Sequence, residues 1–319
     1  MPYQWHNNFV MKQSKIQTTN RYINSALFKH LYTIIVELRP KQWTKNLLVF
    51  AGLVFSHNML SLPALLRSSA AFVIFCAVSS AAYIINDLAD VERDRLHPVK
   101  RLRPIASGLI SEPTAISIAS LLLICSLIAS FLLSWSFALV TVLYFLIVVL
   151  YSFYLKNVVL LDVFSVASGF VLRAVAGTLV INVTLSSWLI LCTLLLSLFL
   201  ALAKRRHELL LLEEKASVHR QILNEYSRVF LDQLMAVVTS STIIAYSLYT
   251  FSAASLPNDR SMMLTIPFVI YAIFRYLYLI YQQNEGGNPE TLLLQDKPLL
   301  ISIVLWGIAV VLILYRPWA

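Results

Sequence analysis

Ala81-Ala82-Tyr83-Ile84-Ile85-Asn86-Asp87-Leu88-Ala89-Asp90-Val91-Glu92-Arg93-Asp94 carries the chain across a boundary: an apolar run that opens near residue 65 gives way abruptly to a row of acids. The apolar part, 65–85, is close to the roughly 20 residues a helix needs to cross a hydrocarbon core. Further runs of this kind lie at about 46–62, 113–134, 137–155, 160–181, 186–203, 232–254, 263–281 and 299–316. The pattern predicts an all-α, polytopic membrane protein with nine transmembrane helices. The first run is the weakest, interrupted by His57 and Asn58. Composition agrees: the chain is 59% hydrophobic and only 13% charged, too little charge to cover a soluble domain. Seven glycines and no short alternating strands argue against a β-barrel.

Basic residues orient the spans. With the N-terminus in the cytoplasm, twenty of the 25 Lys and Arg fall on the inner side, and only Arg67, Arg260 and Arg316 fall outside. The positive-inside rule then predicts N-terminus in and C-terminus out, across an inner (cytoplasmic) membrane. It accounts for part of the net charge of +9 with no nucleic acid as partner. Residues 1–38 lack a secretory apolar core and read as a cytoplasmic tail; 39–319 read as one transmembrane catalytic domain.

The inside rule does not explain the acids. Asn86, Asp90 and Asp94 recur every four residues and share one helical face, with Asp87 beside them. Such a row offers carboxylate oxygens to Mg²⁺, a hard cation that completes its shell with water and substrate phosphates. Pro98 ends the helix, and Lys100, Arg101 and Arg103 follow, where phosphate oxygens could be met. A solvated, salt-bridged loop helix is the alternative, since Glu92, Arg93 and Arg95 could pair with these acids. Four carbonyl-bearing side chains clustered at a membrane mouth favour the metal.

Arg173 lies 13 residues into its run, roughly 20 Å deep at 1.5 Å per residue. Unpaired there, it costs at least roughly 2.5–3.5 kcal/mol. It either pairs with a carboxylate of another helix or binds an anion. Gly169 and Gly177, one turn away on either side, favour the anion by leaving room, while Asp162 lies about three turns back on the same face. Trp43 and Lys41 suit interfacial anchoring, and Lys156 suits snorkelling. Lys204-Arg205-Arg206-His207-Glu208 ends the sixth run; Arg205 and Arg206 there read as inside anchors. The turn at 285–290 reads as a connection or a lid. Neither a P-loop nor a Ser-His-Asp pattern is present.

The motif Asn86-Asp87-x-x-Asp90-x-x-x-Asp94 resembles that of the UbiA superfamily of intramembrane prenyltransferases. The string NDLADVERDRLHPVKRLRPIASG from Asn86 resembles the decaprenyl-phosphate phosphoribosyltransferase branch, as do RPKQWTKN at Arg39–Asn46, LDVFSVASGFVLRAVAG at Leu161–Gly177 and RYLYLI…LLLQDKPL within Arg275–Leu299. The resemblance covers roughly 38–300 and implies nine helices around a cavity open to lipid and cytoplasm. It implies catalytic and metal roles for Asp87, Asp90 and Asp94 with Asn86, and substrate contacts from Lys45, Lys156, Lys204 and Glu208. Superfamily prenyltransferases carry a second Asp-rich motif where this chain has Lys204–Glu208. That departure favours transfer of 5-phosphoribose from phosphoribosyl pyrophosphate to a polyprenyl phosphate, with Mg²⁺, in making a lipid-linked pentose for cell-envelope glycan. Prenyl transfer to an aromatic acceptor and a non-enzymatic transporter are the rivals. The sequence leaves the oligomeric state open, a homo-oligomer included.

Overall fold

Helix starts follow side chains that can hold free backbone N–H groups. Ser111, Ser227 and Asp296 each accept the N–H three residues on, from Thr114, Phe230 and Leu299, and two of these helices carry Pro in the first turn. The computed structural model describes residues 31–184, 186–214, 221–253, 256–287 and 289–316. Its long helices are α1 (Leu62–Ala89), α2 (Glu112–Leu133), α3 (Trp135–Phe153), α4 (Leu161–Val180), α5 (Ser187–Glu214), α6 (Arg228–Ser252), α7 (Ile266–Gln282) and α8 (Lys297–Leu314). Among the described residues these eight, α7 with the 3₁₀ turn before it, are long and apolar enough to cross a membrane. Ile301, Leu305, Ile308 and Leu312 on α8 are exposed at helical spacing, a face for lipid.

The ninth expected span, 46–62, takes another form. Pro40–Phe50 is a 3₁₀ helix that runs into a single α-helical stretch, Ala51–Phe55. At about 2.0 and 1.5 Å per residue the composite is about 30 Å long, although it has few residues. His57, at φ 60, then turns the chain. Side chains three apart eclipse on a 3₁₀ helix. Asn46 and Val49 form the buried ridge, while Lys41, Thr44 and Leu47 and then Gln42, Lys45 and Leu48 line a cavity. The close fit depends on Gly177 of α4, where a Cβ would lie 1.9 Å from the Val49 carbonyl oxygen.

Neighbouring helices pack in a ring: α2 on α1 and α3, the composite on α1 and α4, α3 on α4, then α5, α6, α7 and α8 in turn. Tyr315 closes it by donating to the Leu53 and Val54 carbonyls of the composite. Residues 1–30 of the expected tail lie outside the described residues. Residues 31–37 are helical, and Ile34 and Leu38 pack against Ile84 and Ile105, so the last part of the supposed tail belongs to the body. Trp43 Nε1 donates to Ser80 of α1 at 3.1 Å, which ties the composite to that helix.

Candidate active site

The ring encloses a cavity of about 2060 Å³. Its deep part is apolar, walled by side chains such as Leu189, Leu196, Val269 and Ile273, while charged side chains crowd the end from which α1, α3 and α5 project.

The acid row survives a break in its helix. α1 stops at Ala89, Asp90 takes φ −104 and ψ 7, and a short helix, Val91–Leu96, follows. Asp90 N–H still donates to Asn86 O at 3.0 Å and Asp94 N–H to Asp90 O at 2.8 Å, so the four-residue register continues through the joint. His97, before Pro98, is extended at ψ 133 and ends the helix as expected. Asn86, Asp90 and Asp94 line the cavity. Asp87 does not: it is 3% exposed, as Asp94 is, but it accepts from Arg39 and from Arg103 Nη1, the latter at 3.0 Å. Arg103 Nη1 also donates to Asp94 Oδ2, and Lys156 Nζ to Asp90 Oδ1 at 2.7 Å. Behind Asp87 lies Glu37, also 3% exposed; burial, helped by the nearby Asp87 charge, raises its pKa to about 7.

Among the described residues no three His, Cys, Asp or Glu side chains converge as a metal shell. Mg²⁺ does not require one, because one or two carboxylates plus substrate phosphates suffice. Asp90 and Asp94, with the Asn86 side-chain carbonyl, are oxygen donors that line the cavity and fit that need; Asp87 lies off the cavity wall against Arg39 and Arg103.

Of the other expected substrate contacts, Lys45, Lys100, Arg103, Lys156, Arg173, Lys204 and Glu208 line the cavity. Arg101 is exposed and does not, because it sits on the outer side of the turn Lys100–Leu102. Lys45 approaches Lys204 closely enough for their charges to interact.

Arg173 is 4% exposed and held by neutral groups: Asn46 Oδ1 at 2.7 Å, Gly169 O at 2.8 Å and the Tyr144 hydroxyl at 2.8 Å. Its guanidinium also lies 4.7 Å from the Tyr144 ring centre. Among the described ion pairs it has none, and Asp162 is engaged elsewhere. The two glycines divide the tasks assigned to them jointly. Gly169 makes room for the guanidinium and lines the cavity, whereas Gly177 admits the Val49 backbone.

Arg205 and Arg206 are not loose anchors. Arg205 binds Asp162 and Glu208 and meets the Tyr151 hydroxyl at 3.1 Å; Arg206 binds Asp232 at 2.7 Å and lies 4.3 Å from the Tyr281 ring centre. Asp162, fully buried, also accepts from Tyr226 at 2.7 Å. Sequence reasoning missed Asn46, Tyr144 and Arg205 as site residues. A signal existed for the first two: Asn46 opens the apolar run 46–62, and Tyr144 puts a hydroxyl within the run 137–155.

Comparison with known proteins agrees with this architecture. A solved UbiA homolog from Archaeoglobus fulgidus, bound to GPP and Mg²⁺, has the same fold: TM-score 0.67 at 19% identity, over 88% of this chain and 99% of that one. A relative from Mycolicibacterium smegmatis named decaprenyl-phosphate phosphoribosyltransferase is 37% identical over 289 residues, 86% of this chain and 89% of that one. One of the same name from Corynebacterium glutamicum is 34% identical, over 88% and 86% of the two chains. The UbiA prenyltransferase family pattern matches residues 47–295, from the composite helix to the end of the short helix before α8. The chain belongs to the UbiA prenyltransferase family.

Proposed function

We propose that the protein moves 5-phosphoribose from phosphoribosyl pyrophosphate to a polyprenyl phosphate, with release of pyrophosphate, at the cytoplasmic face of a bacterial inner membrane. The observation that carries this reading is the gathering of both signs of charge in one cavity. Asn86, Asp90 and Asp94 line it together with Lys45, Lys100, Lys204 and Arg205, and apolar side chains such as Leu189 and Val269 line the rest. A donor with phosphates at both ends of a small sugar needs cations and metal together, and a lipid acceptor needs the apolar space. The names of the two bacterial relatives support the same substrates.

Asn86, Asp90 and Asp94 would hold Mg²⁺, which when bound neutralises charge on the departing pyrophosphate. Lys45, Lys100 and Lys204 contact the donor phosphates, and Glu208 orients Arg205 beside them. Arg173 takes the acceptor phosphate. An acceptor oxygen forms a bond to ribose C1 as the bond from C1 to the pyrophosphate oxygen breaks. That oxygen is already anionic at neutral pH, so no strong base is required and catalysis is positioning plus charge neutralisation. The positive-inside bias places the charged end in the cytoplasm, where a water-soluble donor is met.

The test supplies radiolabelled donor, Mg²⁺ and polyprenyl phosphates of several lengths to purified protein, then extracts the lipid. Label in the organic phase, only when a polyprenyl phosphate is present, is the expected result. Label that stays aqueous, while a prenyl diphosphate alkylates an aromatic acid, overturns the proposal in favour of prenyl transfer.

A further inference from the structure

Both cavity-facing carboxylates of the acid row are already occupied, each by a cation that also faces the cavity. Lys156 holds Asp90 and Arg103 holds Asp94. The pairs engage Asp90 Oδ1 and Asp94 Oδ2, so the second oxygen of each carboxylate remains for a metal ion, whose charge the paired cation opposes. By the same pairing, a cation spent on a carboxylate is not open to a phosphate. We propose that Arg103 and Lys156 are exchangeable counter-ions: they hold the acid row while the site is empty, then turn to donor phosphates when the metal takes Asp90 and Asp94. The proposal rests on the reading of the site as one for Mg²⁺ and phosphates.

The backbone suits such an exchange. The acids stand on helix and at a helix joint whose hydrogen bonds continue, so their positions are fixed. The cations do not stand on long helices. Lys156 lies in the three-residue turn Leu155–Asn157, and Arg103 follows the turn Lys100–Leu102 in extended conformation. A long side chain leaving a turn can re-aim without moving a span. Arg103 also has a tether: the Nη1 that meets Asp94 meets Asp87 Oδ1 too, and Asp87 is off the cavity wall. Asp87 is thus a positioning residue that keeps the guanidinium at the mouth while Asp94 changes partner. The pair Arg205–Asp162 is built otherwise. Asp162 is fully buried and away from the cavity, so no metal competes for it.

Exchange makes metal and phosphate binding reciprocal, since each frees the group the other needs. It also reverses the usual sign of two mutations. Removing a cation should improve metal binding, and removing a metal ligand should improve phosphate binding without metal.

The experiment uses full-length protein in nanodiscs and calorimetric titration with two probes, Mg²⁺ alone and inorganic pyrophosphate in EDTA. Arg103→Gln and Lys156→Gln each tighten Mg²⁺ about ten-fold, the size of one charged hydrogen bond released. Asp94→Asn tightens metal-free pyrophosphate about ten-fold on the same basis. Arg95→Gln and Glu92→Gln alter an exposed pair of the same segment with equal changes in charge, and they control for long-range attraction. The two cation variants break different pairs, so misfolding of one leaves the other to decide. If both leave Mg²⁺ binding unchanged or weaken it, or if Asp94→Asn shifts pyrophosphate no more than Glu92→Gln does, the cations are fixed struts and the exchange is refuted. If wild type binds neither probe, the reading of the site falls first and the exchange with it.

Discussion

Replacing Arg173 by Met separates two roles that a buried arginine can have, because its energetic terms oppose each other. The variant keeps an unbranched apolar stem and removes the guanidinium with its charge. On the losing side, the buried Asn46 Oδ1 gives up its bond to Nε, at about 1–3 kcal/mol for an orphaned acceptor. The Tyr144 hydroxyl bond and the contact with its ring add about 2 kcal/mol together. Gly169 O loses little, since a helical carbonyl keeps its backbone donor. On the gaining side, a charge is removed from mid-span, a relief of about 2.5–3.5 kcal/mol. The terms nearly cancel and predict a net loss of about 0–2 kcal/mol. A charged contact to phosphate, by contrast, is worth about 1.5–3 kcal/mol and goes unreplaced, so acceptor affinity should fall roughly 10- to 100-fold. Thermal unfolding in detergent measures the first quantity, and titration with a polyprenyl phosphate measures the second. A variant that unfolds, or loses more than about 4 kcal/mol, would show that the neutral cage exists to build the fold. A stable variant with undiminished acceptor affinity would refute the phosphate role outright.

Other expectations follow from single contacts. Gly177→Ala should destabilise by several kcal/mol, roughly the upper range for overpacking, because its Cβ would sit 1.9 Å from backbone oxygen of the composite helix; a normal melting curve would show that the composite can shift. Asp162→Ala should cost about 1–3 kcal/mol, because Arg205 keeps Glu208 but it and Tyr226 each lose a buried partner, and the double variant with Arg205→Met should cost less than the sum of the two single changes; strict additivity in a double-mutant cycle would deny their coupling. Glu37, with its pKa raised from 4.5 to about 7, holds its proton more tightly folded than unfolded. Stability therefore falls as pH rises from about 4.5 to 7, by on the order of 2–3 kcal/mol. Glu37→Gln should flatten that slope and stabilise the protein at pH 8, and an unchanged pH profile would exclude Glu37 as its source.

Hydropathy found the spans but not their ends. The runs that end at 85 and 203 continue as helix to Ala89 and Glu214, since Asp, Lys, Arg and Glu stop an apolar pattern without stopping a helix. Those extensions carry the chemistry. The four-residue spacing of Asn86, Asp90 and Asp94 was readable because local spacing is what a helix preserves. The inward turn of Asp87 was not readable, because it depends on Arg39 and Arg103, far along the chain. For the same reason Arg205 and Arg206 looked like orientation signals. Their partners Asp162 and Asp232 lie on other helices, and one sequence does not show which charges meet. A composite of 3₁₀ and α was also hidden, since an apolar run bounds a span's length only when its rise per residue is known.

That composite fixes how the chain can change in length. With three residues per turn, one inserted residue between Asn46 and Ala51 rotates everything beyond it by about a third of a turn. Val49 would leave its place against Gly177, and a cavity-facing neighbour would be driven into that seam. Insertions or deletions of three restore the faces but slide the segment by about 6 Å, carrying Lys45 away from Lys204 or the closing Leu53 and Val54 carbonyls away from Tyr315. The segment therefore works as a ruler of fixed length, calibrated at one end by charge and at the other by a tyrosine.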